Sequence, residues 1–254
     1  MTGRMRVGTA LVVGLLGFVV QASAQVRGMP LFTNPRYATG IRVHADIGQP
    51  TQSGTSVGDL TVAQGGVTFA LGPIGIGANL GMNFNKARRL SATDSVDANT
   101  SVTASAIAQL RVLGGGINPL ALSIFGGASS DITTQEVGAA SIGLKYPRFM
   151  NLPVGAAVGL HLPLGIVSLN LWGSGRYVFS KFMNCPSAAE DPTPGDLLNH
   201  MCDATEKNVR FAVGADIPIL KIFSVRAAYD TGKMYGQTIS YWGVGASIGL
   251  GGMR

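Results

Sequence analysis

Ile74 to Asn85 constrains this chain more than any other stretch. It reads Ile-Gly-Ile-Gly-Ala-Asn-Leu-Gly-Met-Asn-Phe-Asn: Ile74, Ile76, Ala78, Leu80, Met82 and Phe84 are apolar, whereas Gly75, Gly77, Asn79, Gly81, Asn83 and Asn85 are glycine or asparagine. A period of two puts these sets on opposite faces of a β-strand. In a soluble sheet the non-core face usually carries Lys, Glu and Thr. Gly and Asn suit a crowded, hydrated interior instead, so the pattern is that of a membrane-spanning strand with lipid on one side and a polar lumen on the other. The run is also longer than the roughly 9 to 11 residues a tilted strand needs to cross the hydrocarbon.

The amino terminus carries an export pattern. Arg4 and Arg6 precede an apolar run from Val7 to Val20, and Ala22-Ser23-Ala24 supplies the small residues of a cleavage site. Residues 1–24 are therefore read as a signal peptide and 25–254 as one domain. Position 25 is Gln and not Cys, so nothing points to a lipid anchor on a mature N-terminal cysteine.

Charged residues make up 13% of the chain and glycines number 36 of 254, about half and about twice the usual shares. So few charges cannot cover a water-soluble surface well. After residue 24 there is no apolar run of the roughly 18 residues a membrane helix needs. An exported chain of this kind is left with a soluble β-sandwich or a closed outer-membrane barrel. The net charge of +6 would ordinarily raise nucleic acid as a partner, but the Lys and Arg residues are dispersed and the export signal argues against it.

The rest of the chain repeats the alternation. Residues 25–37 read as a lead-in. Strands are expected at 38–48, with Arg42, His44 and Asp46 facing inward; at 57–71, where a parity change at Gly65-Gly66 predicts a β-bulge; at 74–85; and at 100–113, with Thr103, Ser105, Gln109 and Arg111 inward and Ile107 the exception. Further strands are expected from Leu120 to about residue 128, and at 152–162, with His161 inward. The remaining four are 167–181, with Arg176 inward; 209–217, with Arg210 and Asp216 inward; 223–229, with Arg226 inward; and 241–250. Connections bearing Pro73, Pro119, Pro163 and Pro218 are short. Those at 49–56, 86–99, 129–151, 184–207 and 230–239 are long and polar. Alternating short and long connections, with an even strand number, predict an all-β, antiparallel, up-and-down transmembrane barrel of about ten strands. Eight or twelve remain open, because 129–151 fits a loop or an extra hairpin. Tyr177, Phe179, Phe182, Tyr229, Tyr241 and Trp242 fall where an interfacial aromatic girdle belongs.

The signal peptide, the Gly-rich alternating strands and the closing Gly243-Val-Gly245-Ala-Ser-Ile248-Gly-Leu250 together resemble the small outer-membrane β-barrel proteins of Gram-negative-type bacteria. The resemblance implies residence among outer-membrane lipid and lipopolysaccharide, and a terminal strand read by the barrel-insertion machinery. Such proteins usually end on an aromatic residue, whereas this chain continues through Gly251-Gly252-Met253-Arg254.

Cys185 and Cys202, with sixteen residues between them, are the only cysteines. In an oxidising compartment they read as a loop-closing disulfide, worth roughly 3 kcal/mol. His200, Asp191, Asp196 and Asp203 lie nearby, but without paired spacing they make a weak zinc signal. No metal or cofactor is expected.

The inward charges form the candidate site: Arg42, Arg111, Arg176, Arg210 and Arg226 with Asp46 and Asp216, and with His44 and His161 pointing the same way. They read as a salt-bridged plug, since a small barrel's interior is filled by side chains and a buried arginine needs a partner. The alternative is a cationic constriction that selects anions. Some barrels of the family resembled are lipid A deacylases, palmitoyl transferases or proteases. His44 and Asp46, two apart on one strand, have the spacing to orient each other, although Asp46 is equally a partner for Arg42. Gly75-x-Gly77 and Gly243-x-Gly245 lie inside strands and lack a third glycine at dinucleotide-binding spacing.

Overall fold

The computed structural model describes residues 34–36, 39–51, 59–86, 88–89, 95–96, 100–115, 118–133, 135–137, 144–146, 148–165, 167–183, 205–219, 222–234 and 237–250. Among them, ten antiparallel strands close into one barrel: β1 (Gly40–Pro50), β2 (Asp59–Leu71), β3 (Ile74–Lys86), β4 (Ser101–Gly115), β5 (Asn118–Asp131), β6 (Arg148–Leu164), β7 (Val167–Met183), β8 (Glu206–Pro218), β9 (Phe223–Met234) and β10 (Gln237–Leu250). Each pairs with its chain neighbour. The cylinder is sealed by β1 on β10, in register from Ile41 opposite Leu250 to Pro50 opposite Tyr241. Closure leaves no free edge, and a soluble sandwich is excluded.

The faces divide as the alternation requires. Ile74, Ile76, Leu80, Val154, Phe211 and Val213 stand exposed on the outside, whereas Asn79, Asn83, Thr103, Ser123, Asn151 and Ser247 are buried inside. A sheet that turns its large aliphatic side chains outward and its amides and hydroxyls inward is stable only where the outer medium is apolar. The chain is a membrane β-barrel. Among the described residues no helix is long and apolar enough to cross a membrane, so the strands do the spanning.

Connections at one end are short, 72–73, 116–117, 165–166 and 219–222, and Gly72 takes a positive φ of 59° that its turn requires. This is the turn end; the loop end carries 51–58, 87–100, 132–147 and 184–205. Strands run past the expected limits there. β5 continues to Asp131, and Gln135–Val137 pairs with Leu144–Tyr146 as a separate hairpin outside the barrel. The described residues of 129–151 thus add a hairpin without adding barrel strands. The long loop expected at 230–239 shrinks to 235–236, because β9 and β10 stay paired up to Met234 opposite Gln237. Beyond the hydrocarbon both faces of a strand are polar, so composition reads such an extension as loop.

Two further expectations are corrected. The bulge predicted at Gly65-Gly66 is absent: β2 pairs without a shift from Asp59 to Leu71, and Val62 simply points inward, buried. Register shifts occur instead in β4, at Arg111/Leu113 and Leu113/Gly115. Of the aromatic girdle, Tyr177, Phe179, Tyr229 and Trp242 are outside, with Tyr177 and Phe179 edge to face at 5.0 Å, but Tyr241 is 1% exposed and fills the lumen. The side chain of Phe182 lies outside the described residues.

Candidate functional site: the barrel lumen

Alternation along ten strands delivers one inward side chain every second residue, and these meet in tiers across the lumen. Nearest the loop end, Asp230 of β9 accepts hydrogen bonds from Arg176 of β7 and from Arg210 Nε and Nη2 of β8, the latter two at 3.0 and 2.6 Å. Asp230, Arg176 and Arg210 are all at most 3% exposed. Amides and hydroxyls fill the same half: Ser180 donates to Asn151 at 2.7 Å, and Asn83 donates to Ser101 at 3.0 Å.

The middle tier is built on Asp46. Arg226 donates Nε and Nη2 to its two oxygens, each at 2.8 Å, and Gln64 Nε2 adds a third bond at 3.2 Å. Gly245 stands opposite Asp46 in the β1–β10 pairing, and a Cβ there would collide with the carboxylate. Beside it, His44 Nε2 donates to Asn79 Oδ1 at 2.6 Å, and Asn79 Nδ2 donates to Ser105 at 3.1 Å. Gly66 makes the room for this pair, since a Cβ on it would strike Asn79 Oδ1 and the Ala78 carbonyl.

Towards the turn end the packing opens. Arg42 Nη1 donates to the Ser224 and Ser247 hydroxyls at 3.0 and 2.9 Å, and His161 Nδ1 donates to Asn170 at 2.7 Å. Asp216 accepts from Trp172 Nε1 at 3.4 Å and from Asn34 Nδ2. Asn34 belongs to the lead-in segment, of which residues 34–36 lie tucked into the barrel mouth. Arg36 donates to the Asn118 carbonyl, and Pro35 is fully buried. A cavity of about 390 Å³ lies above this floor, and Arg42, Arg226, His161, Asp216 and Ile107 are among its lining residues.

No protein-family model matches the chain. No curated protein matches it significantly. Among solved structures it is similar to the translocator domain of the autotransporter NalP from Neisseria meningitidis, with 14% identity, a TM-score of 0.42, and 87% of this chain and 91% of that chain covered. The β domain of the Bordetella autotransporter BrkA gives 11% identity, a TM-score of 0.44 and coverages of 84% and 100%. Neisserial surface protein A gives 10% identity, a TM-score of 0.36 and coverages of 85% and 100%. At these values the likeness adds nothing to what the strand pairing already establishes.

The structure brings Arg42, His44, Asp46, Arg176, Arg210, Asp216 and Arg226 into the lumen. Arg111 is not among them, because it sits at the turn-end rim and donates Nη2 to the Gly72 carbonyl at 3.1 Å. Asp46 pairs with Arg226 and not with Arg42: the strand closing the barrel brings β9 and β10 beside β1, a neighbourhood that spacing along one strand does not reveal. The expected strand 223–229 stops one residue short of Asp230, whereas β9 runs on to Met234. The alternation Ser224, Arg226, Ala228, Asp230 carries the signal that would have found it. Cys185, Cys202, His200, Asp191, Asp196 and Asp203, like the signal peptide, lie outside the described residues.

Proposed function

We propose that this chain is a non-enzymatic integral protein of a bacterial outer membrane, its lumen closed by its own side chains, acting through its loop-end connections or in envelope integrity. One observation carries the reading: two successive tiers of buried, charge-paired side chains project into the lumen from adjacent strands, Arg226 with Asp46 and Gln64, then Arg176 and Arg210 with Asp230. Paired charges at such burial hold one another in place, and a mobile ion would have to break them to pass. The apolar outer belt supports lipid and lipopolysaccharide as surroundings and the barrel-insertion machinery as the route of entry.

His44 argues against a barrel enzyme. Its Nε2 is committed to Asn79 and is also the ring nitrogen facing Asp46, at 3.7 Å from Oδ2, too far for a hydrogen bond, so the geometry of a base oriented by a carboxylate through its other nitrogen is not formed. The second reading, a narrow pore for small anions, draws on Arg42, Arg176, Arg210 and Arg226 outnumbering Asp46, Asp216 and Asp230 inside.

Planar-bilayer recordings separate the two. The plugged barrel gives no steady conductance; steady anion-selective openings that vanish in Arg176→Ala would replace it with the pore. Placement is tested by gel mobility of the outer-membrane fraction in detergent. A compact fast band that slows on boiling is expected, and recovery of the chain in the soluble periplasm would refute the location.

A further inference from the structure

Arg42 is held in place by neutral acceptors and by no ion pair among the described residues. Its Nη1 is spent on two neutral hydroxyls, Ser224 and Ser247, themselves 2.8 Å apart. Its Nε is buried without a partner, and among the described residues no carboxylate lies within ion-pair distance of it. Of the two nearby carboxylates, Asp46 holds Arg226, and Asp216, which accepts only from the neutral donors Trp172 and Asn34, attracts Arg42 through space without an ion pair. A guanidinium anchored by neutral acceptors beside a cavity retains the charge and the N–H groups that a planar oxyanion takes up.

The cavity beside it has a definite shape. At about 390 Å³ it lies at the lower end of the range for small-molecule sites. The Asp46 tier bounds it towards the loop end, and Asn34-Pro35-Arg36 forms its floor at the turn end. That floor has a built seat, because a Cβ on Gly159 would fall 2.8 Å from Pro35 Cγ, so glycine there is what lets Pro35 sink into the wall. The lining is mixed, with Ile107 and Ala70 facing Arg42, Arg226 and His161, and Asp216 the one carboxylate among the described lining residues. Arg36, Arg42 and Arg226 set against Asp216 and the Asp46 that holds Arg226 leave one net positive charge beside an apolar wall, which matches an anion with one carboxylate and a small apolar body and matches a multiply charged anion poorly.

We propose that the turn-end cavity is a binding site for small organic monocarboxylates, with Arg42 as the carboxylate contact, Ile107 against the apolar body and residues 34–36 as the floor across which the ligand enters. The Asp46 tier bounds the site towards the loop end, so it requires no conduction through the barrel and goes beyond the plug reading.

The test is calorimetric titration of the folded full chain in detergent with benzoate, with its neutral isostere benzamide and with inorganic phosphate. Saturable benzoate binding is expected, with benzamide and phosphate at least tenfold weaker. Arg42→Gln should weaken benzoate tenfold or more, and Ile107→Phe, which fills the cavity without touching a charge, should abolish it. Heat-modifiable gel mobility shows that each variant is folded, and if Arg42→Gln fails that check, Ile107→Phe carries the test. The proposal is overturned if benzoate does not bind, if benzamide or phosphate binds as well as benzoate, or if a folded variant binds benzoate unchanged.

Discussion

Asp230→Asn is the substitution that tests most directly whether the lumen is a packed interior. The carboxylate accepts from two neighbouring strands, with Arg176 and Arg210 both converging on it and all three residues at most 3% exposed. Removing its charge strands two guanidinium groups in a low-dielectric site, and breaking a buried pair from one side costs about 3–5 kcal/mol. Arg176→Gln is the informative control. It leaves the Asp230–Arg210 pair intact and removes one charge-assisted hydrogen bond, worth about 1.5–3 kcal/mol. The asymmetry is the prediction: Asp230→Asn should shift the folding equilibrium by about a hundredfold to a few thousandfold, and Arg176→Gln by clearly less. Urea unfolding in lipid vesicles, followed by band mobility without boiling, reads both. In a lumen full of water the same ion pairs would be screened and worth only about 0–1 kcal/mol each. Two variants that lose equally little would therefore refute the packed interior and the plug with it.

Leu80, 62% exposed at the middle of β3, should cost about 2–4 kcal/mol when replaced by Arg, whereas Asn79→Asp should lose less, keeping an acceptor for His44 on the inner face. If both substitutions prove equally harmless in vesicle unfolding, the assignment of inside and outside is refuted. Gly66→Ala pushes a methyl group into Asn79 Oδ1 and the Ala78 carbonyl and should cost about 1–3 kcal/mol. Gly65→Ala, whose nearest neighbour is the His44 carbonyl at 3.6 Å, should be nearly silent in the same assay. Cys185 and Cys202 should resist alkylation in the exported protein until a reductant is added; labelling of either thiol without reductant would remove the disulfide. Amino-terminal sequencing of the exported chain should begin at Gln25, and a start at Met1 would remove the signal peptide.

What was legible depended on a local physical rule. In β3 and β10 lipid on one side and a narrow lumen on the other force strict alternation, so parity alone sorted Leu80 from Asn79 and Trp242 from Gly243. Tyr241 shows the limit: an aromatic near a strand end suits an interfacial girdle by type, but its parity is that of Gly243 and Gly245, and in the structure parity prevails. Asp230 escaped for a related reason, since past the hydrocarbon edge both faces of a strand are polar and the alternation fades into what reads as loop.

The sequence by itself determined the membrane barrel, the short connections at the turn end and the inward parity of most lumen side chains, because each follows from a two-residue period in a chain with few charges; Arg111, Val62, Tyr241 and Asp230 needed the structure. Partnership belongs to the tertiary structure. Closing β1 on β10 brought Arg226 to Asp46, and three consecutive strands brought Arg176 and Arg210 to one Asp230. The inward turn of residues 34–36 against Gly159 and Asp216 made a floor where composition showed only a lead-in. Period is a property of neighbours in the chain, whereas a charge finds its partner through space, across a lumen whose register and closure no single strand encodes.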